Sequence, residues 1–168
     1  MYLEDIQSYY EGLCELHQDI LHNTNSRRAF FRLQSMGEMT QLPNNAGDVM
    51  VMIERFNGRA IGEYDANKLQ QFVTIRFAKL LAIPADGDFE QALVDCLDDS
   101  YLIMLDFVSK MRFDFEADNC SWLKYVDFKS MSWSEFQGPI IERHYGWDLV
   151  VPFIASMPEY RSEKWEAP

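Results

Sequence analysis

Apolar positions recur at three- and four-residue spacing along the first stretch of the chain: Leu3, Ile6, Tyr10, Leu13 and Ile20, with His17 in the same stripe. That spacing predicts an amphipathic helix over residues 3–21. The turn-forming run HNTNS, residues 22–26, ends it. RRAFFRL (27–33) reads as a short strand or the lead-in to one. Residues 34–48 form a polar stretch with Pro43, two asparagines and Gly47, long enough to serve as a binding arm.

A β region follows. VMVMIERF (49–56) is apolar and rich in β-branched residues, and Asn57-Gly58 after it is a hairpin signal. In residues 68–81, Val73, Ile75 and Phe77 fall on one face and Phe72, Thr74 and Arg76 on the other, the period-two pattern of a half-buried strand. A turn over 83–89 leads into a second helix, with Asp86 or Asp88 as its cap. That helix is expected over 88–111. Its buried face is Phe89, Leu93, Cys96, Leu97, Met104, Phe107, Val108 and Met111, with Asp95, Asp98, Asp99 and Asp106 on the remainder. Residues 120–133 alternate loosely and read as a strand. Gly146 reads as a turn before a last strand over 147–156, where Pro152 indicates an edge or a bulge. These elements predict an α+β fold: a mostly antiparallel sheet of about five strands with two main helices packed on one face. They form one domain over 1–156, followed by a polar extension over 157–168.

Composition narrows the function. The chain has 168 residues, 48% hydrophobic and 14% aromatic, which supplies a real core. It carries 27 acidic residues against 15 Lys and Arg, a net charge of −12. Without a cluster of Lys and Arg it is not expected to grip nucleic acid directly or adhere to an anionic membrane. The N-terminus lacks a basic, then apolar, leader and no run is long enough to span a bilayer, so synthesis and residence in the cytoplasm are expected. The three cysteines, Cys14, Cys96 and Cys120, are far apart and odd in number, which fits a reducing compartment and free thiols.

Candidate chemistry is sparse. His17 and His22 are five residues apart and project roughly 140° from each other on a helix, so they do not share a face as a zinc pair does. Asp95, Asp99 and Asp106 share a side of the second helix and read as a solvated or partner-facing stripe. Asp114, Glu116 and Asp118 alternate, but the run lacks the central glycine and distal glutamate of a calcium loop. His144, flanked by Glu142 and Arg143, has no second ligand or base at a recruiting spacing. Nucleophile-elbow and phosphate-loop motifs are absent. No catalytic residue, metal or cofactor is therefore assigned, and a non-enzymatic role is expected.

Contact residues are better represented. Met36 and Met39 place flexible apolar side chains in the polar arm, and Tyr145, Trp147, Tyr160 and Trp165 add aromatics of the kind enriched at interfaces. These six are the interface candidates.

The layout resembles the neck and tail-completion proteins of tailed bacteriophages, of the tail-terminator type. The elements that carry the resemblance are the N-terminal helix YLEDIQSYYEGLCELHQDILH, the strand DVMVMIERF, the long helix DFEQALVDCLDDSYLIMLDFVSKM and the strand YGWDLVVPFIAS. The resemblance implies a homo-oligomeric ring at a tail end or head–tail junction. Its partners would be further copies of itself and particle proteins such as tail tube or connector. It also implies residence in the bacterial cytoplasm during assembly and then in the virion. The competing expectation is a small acidic inhibitor or DNA mimic that occupies a basic groove.

Overall fold

The computed structural model describes residues 3–32, 46–54, 57–61, 68–85, 87–136, 138–139 and 143–156. In chain order its main elements are α1 (Leu3–Leu16), β1 (Arg28–Arg32), β2 (Ala46–Ile53), β3 (Asn57–Ile61), β4 (Lys68–Leu80), α2 (Phe89–Glu116), β5 (Ser132–Glu135) and β6 (His144–Ser156). A single 3-10 turn spans Leu123–Tyr125. The interface candidates Met36, Met39, Tyr160 and Trp165 and the extension 157–168 lie outside the described residues.

The fold is α+β, with both helices on one side of the sheet. The sheet has six strands and is mixed, because β1 runs parallel to β2 while the remaining pairings are antiparallel. The spatial order is β1-β2-β4-β6-β5, with β3 also on β4. β4 and β6 form its centre. They pair along their whole lengths, from Lys68 with Ser156 to Leu80 with His144. Each is 13 residues long, roughly 43 Å of strand.

Period two decides the faces. Val49, Val51 and Ile53 of β2, Val73, Ile75 and Phe77 of β4, and Leu149, Val151 and Phe153 of β6 all point to the helix side and are buried. Ile6, Tyr10 and Leu13 of α1 and Ile103, Met104, Phe107 and Met111 of α2 meet them there. Phe107 is the centre of this packing. Its ring lies parallel to Tyr10 at 6.2 Å and edge-on to Phe77 at 5.0 Å. Aromatic pairs in such geometries add about 1 kcal/mol each beyond their buried area. The other face carries a second cluster of Met50, Met52 and Ala78, with Phe31, Ala46 and Phe136 against it.

Local signals account for the helix ends. Asp88 caps α2 by accepting the amide of Glu90 at 2.9 Å. The helix then runs 28 residues to Glu116, five beyond the expected end, because Asp114 turns inward and keeps the last turn attached to the core. Phe89, expected to be buried, is exposed in the first turn. α1 stops at Leu16, earlier than its periodicity predicts. Residues 17–21 form turns that end on Leu21 at φ 48°, in the left-handed region that Leu rarely adopts.

Three expectations are corrected. Asn57-Gly58 is not a hairpin turn. It lies inside β3, opposite Phe72 and Gln71. β2 and β3 both pair antiparallel with β4, β2 with its second half and β3 with its first. Residues 120–133 are mostly irregular, and strand begins only at Ser132. Pro152 lies, as expected, on an edge portion of β6: β4 pairs on one side, and on the other β5 has already ended at Val150 and the Pro152 carbonyl accepts the amide of Asp127 at 2.9 Å. A residue's N and C=O face the same side of an antiparallel strand, so the missing N–H costs no bond to β4.

Gly146 is the third. It is not in a turn but within β6, opposite Ala78. A Cβ there would come within 1.9 Å of the Phe77 carbonyl oxygen. The position needs glycine because another backbone passes too close for any side chain. Gly146→Ala is therefore expected to destabilise the protein by about 3 kcal/mol or more, read as a lowered urea midpoint. A wild-type midpoint would show that the two strands do not approach this closely.

Candidate functional site

The chain turns sharply at the end of α1. The amide of His17 donates to Leu13, and the amide of Leu21 returns to the His17 carbonyl, both at 2.9 Å. This turn projects the His17 imidazole over α2. There its Nε2 lies 3.3 Å from Asp106 Oδ2, and its ring is 5.7 Å from Phe107. Below the pair is a cavity of about 400 Å³ between the helices. Leu13, Leu16 and Phe107 form its apolar walls, and Gln18, Asp19, Asp106 and Lys110 its polar lining. Its size falls within the usual range of ligand pockets.

The tautomer limits what His17 can do. Its Nδ1 accepts the backbone amide of Asp19 at 3.2 Å, so Nε2 bears the proton and donates it to Asp106. Both ring nitrogens are then occupied, whereas a general base needs a free lone pair facing its substrate. The pair acts as a clasp across the mouth of the groove. Nothing in the sequence announces it, since His17 and Asp106 are 89 residues apart and Asp106 reads there as one of a row of solvated carboxylates.

The other histidines serve the fold. His22 is buried, and its Nδ1 accepts the amides of Ala29 and Phe30 at 3.0 and 3.3 Å, which fixes the start of β1. Its Nε2 faces Glu11, whose carboxylate also meets Arg32 at 2.6 Å. His144 is buried at the first position of β6, opposite Leu80. Among the described residues no group of three or more His, Cys, Asp or Glu is placed to hold a metal ion.

The alternating acids Asp114, Glu116 and Asp118 do not converge. Asp114 points into the protein and accepts from Tyr9 Oη at 2.8 Å, Lys110 Nζ at 2.5 Å and Asn119 Nδ2 at 3.2 Å. Burial by itself would raise its pKa, but these three donors outweigh it and hold the carboxyl below its ordinary value. The Tyr9 hydroxyl is pushed up, first by burial and then by Asp114. Next to it, Tyr10 Oη donates to Met111 Sδ at 2.8 Å. Together these bonds fasten α1 to the last turns of α2. All three thiols are raised, chiefly by burial. None is the activated thiolate that nucleophilic chemistry requires.

A second ionic group crosses the sheet on the face away from the helices. Arg76 of β4 meets Glu54 at 3.0 Å and Asp148 of β6 at 2.8 Å. Burial raises the Asp148 pKa, and Arg76 only partly offsets it.

Of the described interface candidates, Trp147 is already engaged within the chain. Its indole N–H donates to the Leu97 carbonyl at 3.1 Å and its ring packs on Tyr101. Tyr145 is half-buried beside it on the same face, opposite Lys79. The wider aromatic surplus is largely absorbed by the core, with Tyr10 and Trp122 buried and Trp133 exposed. No helix among the described residues is long and apolar enough to cross a membrane. No protein-family model, curated protein or solved structure matches the chain.

Two predictions follow from the charges. Asp114→Ala should cost about 2–4 kcal/mol, since it strands buried donors. A carboxyl whose folded pKa lies below its unfolded value stabilises the fold above the unfolded value and loses that contribution as pH falls through the folded one. The gap between wild type and Asp114→Ala in urea midpoint should therefore be full near neutrality and shrink below about pH 4. A gap independent of pH would contradict an ionised Asp114. On the sheet, Arg76→Met leaves two carboxylates without their cation and should cost about 3–5 kcal/mol. Asp148→Asn removes a charge that burial already opposes and should cost less than about 1 kcal/mol. Equal losses in the two variants would reject this ranking.

Proposed function

We propose that the chain acts by binding protein, as a self-associating structural subunit of a phage or phage-like particle, forming a ring at a tail end or head–tail junction. The observation that carries this reading is the distal end of the sheet. There β3, the first part of β4 and the end of β6 run past the buried core. Lys68 is exposed and residues 69–72 are half-buried, whereas Val73, Ile75 and Phe77 are fully buried. Among the described residues no strand pairs with the outer edge of β3. On the other side β5 reaches only to Val150 of β6, with a lone bridge from Val126 to Phe153 beyond it.

Two different strand edges on one projecting sheet support head-to-tail association, β3 of one copy against β6 of the next. Contacts of that kind close into rings or run on as filaments. The particle setting, the tail-tube or connector partners and the bacterial cytoplasm as place of assembly come from the resemblance of layout. The acidic-inhibitor reading is less favoured, because the α2 stripe is partly neutralised within the chain. Asp99 is bonded to Lys79, whereas Asp106 accepts from the neutral His17 ring and keeps its charge.

Light scattering coupled to size-exclusion chromatography tests the reading. Particles should appear as multiples of 19.7 kDa, and electron microscopy should show rings or short filaments. Ile154→Lys, at the half-buried end of β6, should raise the concentration needed for assembly about tenfold. A folded chain that stays monomeric at every concentration would end the proposal.

A further inference from the structure

We propose that the groove between α1 and α2 is a socket for a cationic amphipathic segment of a partner protein, which seats one large apolar side chain against Leu13, Leu16 and Phe107. The inference rests on the reading of the chain as a protein-binding subunit, but on a different surface from the sheet edges.

Apolar exposure gathers around this groove. Leu16 on its wall is 78% exposed. On α2, Leu102 lies one turn before Asp106 and Phe113 one turn after the lining residue Lys110, at 59% and 60% exposure. Scattered single apolar residues on a surface need no explanation. Three large ones beside a cavity of about 400 Å³ between two helices have the form of a helix-binding groove, in which an amphipathic partner lays down its apolar side.

Charge selects the occupant. Asp19 and Asp106 stand at the rim, Asp106 67% exposed, and Glu15 is exposed on the preceding turn. The lining cation, Lys110, is bonded to buried Asp114 and lies 5.1 Å from the Phe113 ring. Its charge is therefore largely compensated, and the rim is left negative. A second copy of a chain with net charge −12 would bring carboxylate against carboxylate if it docked this face on itself. A segment with Lys or Arg flanking an apolar anchor meets both features. Its cations reach Asp19 and Asp106, and its anchor fills the cavity.

The test uses the full chain and a fluorescein-labelled helical peptide of leucine and lysine, with a leucine–glutamate peptide as the opposite-charge control. Anisotropy should show saturable one-to-one binding of the lysine peptide, weakening as salt rises, and none of the glutamate peptide. Leu16→Ser and Asp106→Asn alter exposed side chains, so the variants should keep the wild-type circular dichroism. Each should weaken binding about tenfold. Asp95→Asn with Asp98→Asn, which removes charge from α2 away from the groove, should leave affinity within about twofold. Absence of binding would overturn the proposal. So would equal losses in the groove and control variants, which indicate unspecific attraction. A fall in assembled mass caused by Leu16→Ser would assign the groove to a second copy and likewise overturn it. Light scattering on the same samples separates the two readings. A monomer that binds the peptide through Leu16 loses only the ring, and a ring that ignores the peptide loses only the socket.

Discussion

The in-register pairing of β4 with β6 is the constraint on which the rest depends. One continuous ladder runs from Lys68 with Ser156 to Leu80 with His144. It sets which residues face the helices, and a slip of one position would turn Val73, Ile75, Phe77, Leu149, Val151 and Phe153 to the opposite side. Gly146 fixes the register sterically, since the Phe77 carbonyl passes where a side chain would start. Arg76 fixes it electrostatically, directly opposite Asp148. The two devices act two rungs apart, one by exclusion and one by attraction.

The helices are attached to this ladder unequally. α2 rests on it through Phe107, Met104 and Met111, whereas α1 packs beside β1 and is tied to α2 by side-chain hydrogen bonds. The Tyr9–Asp114 and Tyr10–Met111 bonds secure the middle of α1 at one end of α2, and the His17–Asp106 contact secures its last turn closer to the middle. The groove lies beside that second attachment. Its walls thus come from a firmly held helix and from the end of a helix held by one exposed polar contact. A surface of that kind suits an adaptable contact better than a reaction site, which needs several groups fixed in place.

Legibility in the sequence followed the range of the interaction. The alternation in β4 and the Asp88 cap of α2 are local, and both were readable from spacing alone. Cys96 was recognisable as a packed thiol for the same reason. Asn57-Gly58 misled because the dipeptide favours a turn without requiring one, and the pairing of Gly58 with Gln71 overrode it. β1 has a three-residue apolar centre, Ala29 to Phe31, that marks a short strand, and nothing in it sets the parallel direction in which it pairs with β2. Gly146 was read by its conformational freedom, whereas its actual role is to clear space for a distant carbonyl. The groove was invisible for a related reason. Asp106 has the local pattern of a solvated acid, and only the tertiary fold brings His17 above it.

The central ladder also dictates the order in which a nascent chain can fold. Both partners of β4 in the first half of the sequence, β2 and β3, lie on the same side of it. Its other side remains open until β6, the last described element, has left the ribosome. During that interval α2 is already made, but half of the sheet it packs on is missing. The nascent chain therefore exposes a long apolar strand edge next to an incompletely covered helix, a species prone to pair with its neighbours. Chaperone capture, or contact with an adjacent chain on the same message, would act on this intermediate before the protein has any finished surface to offer.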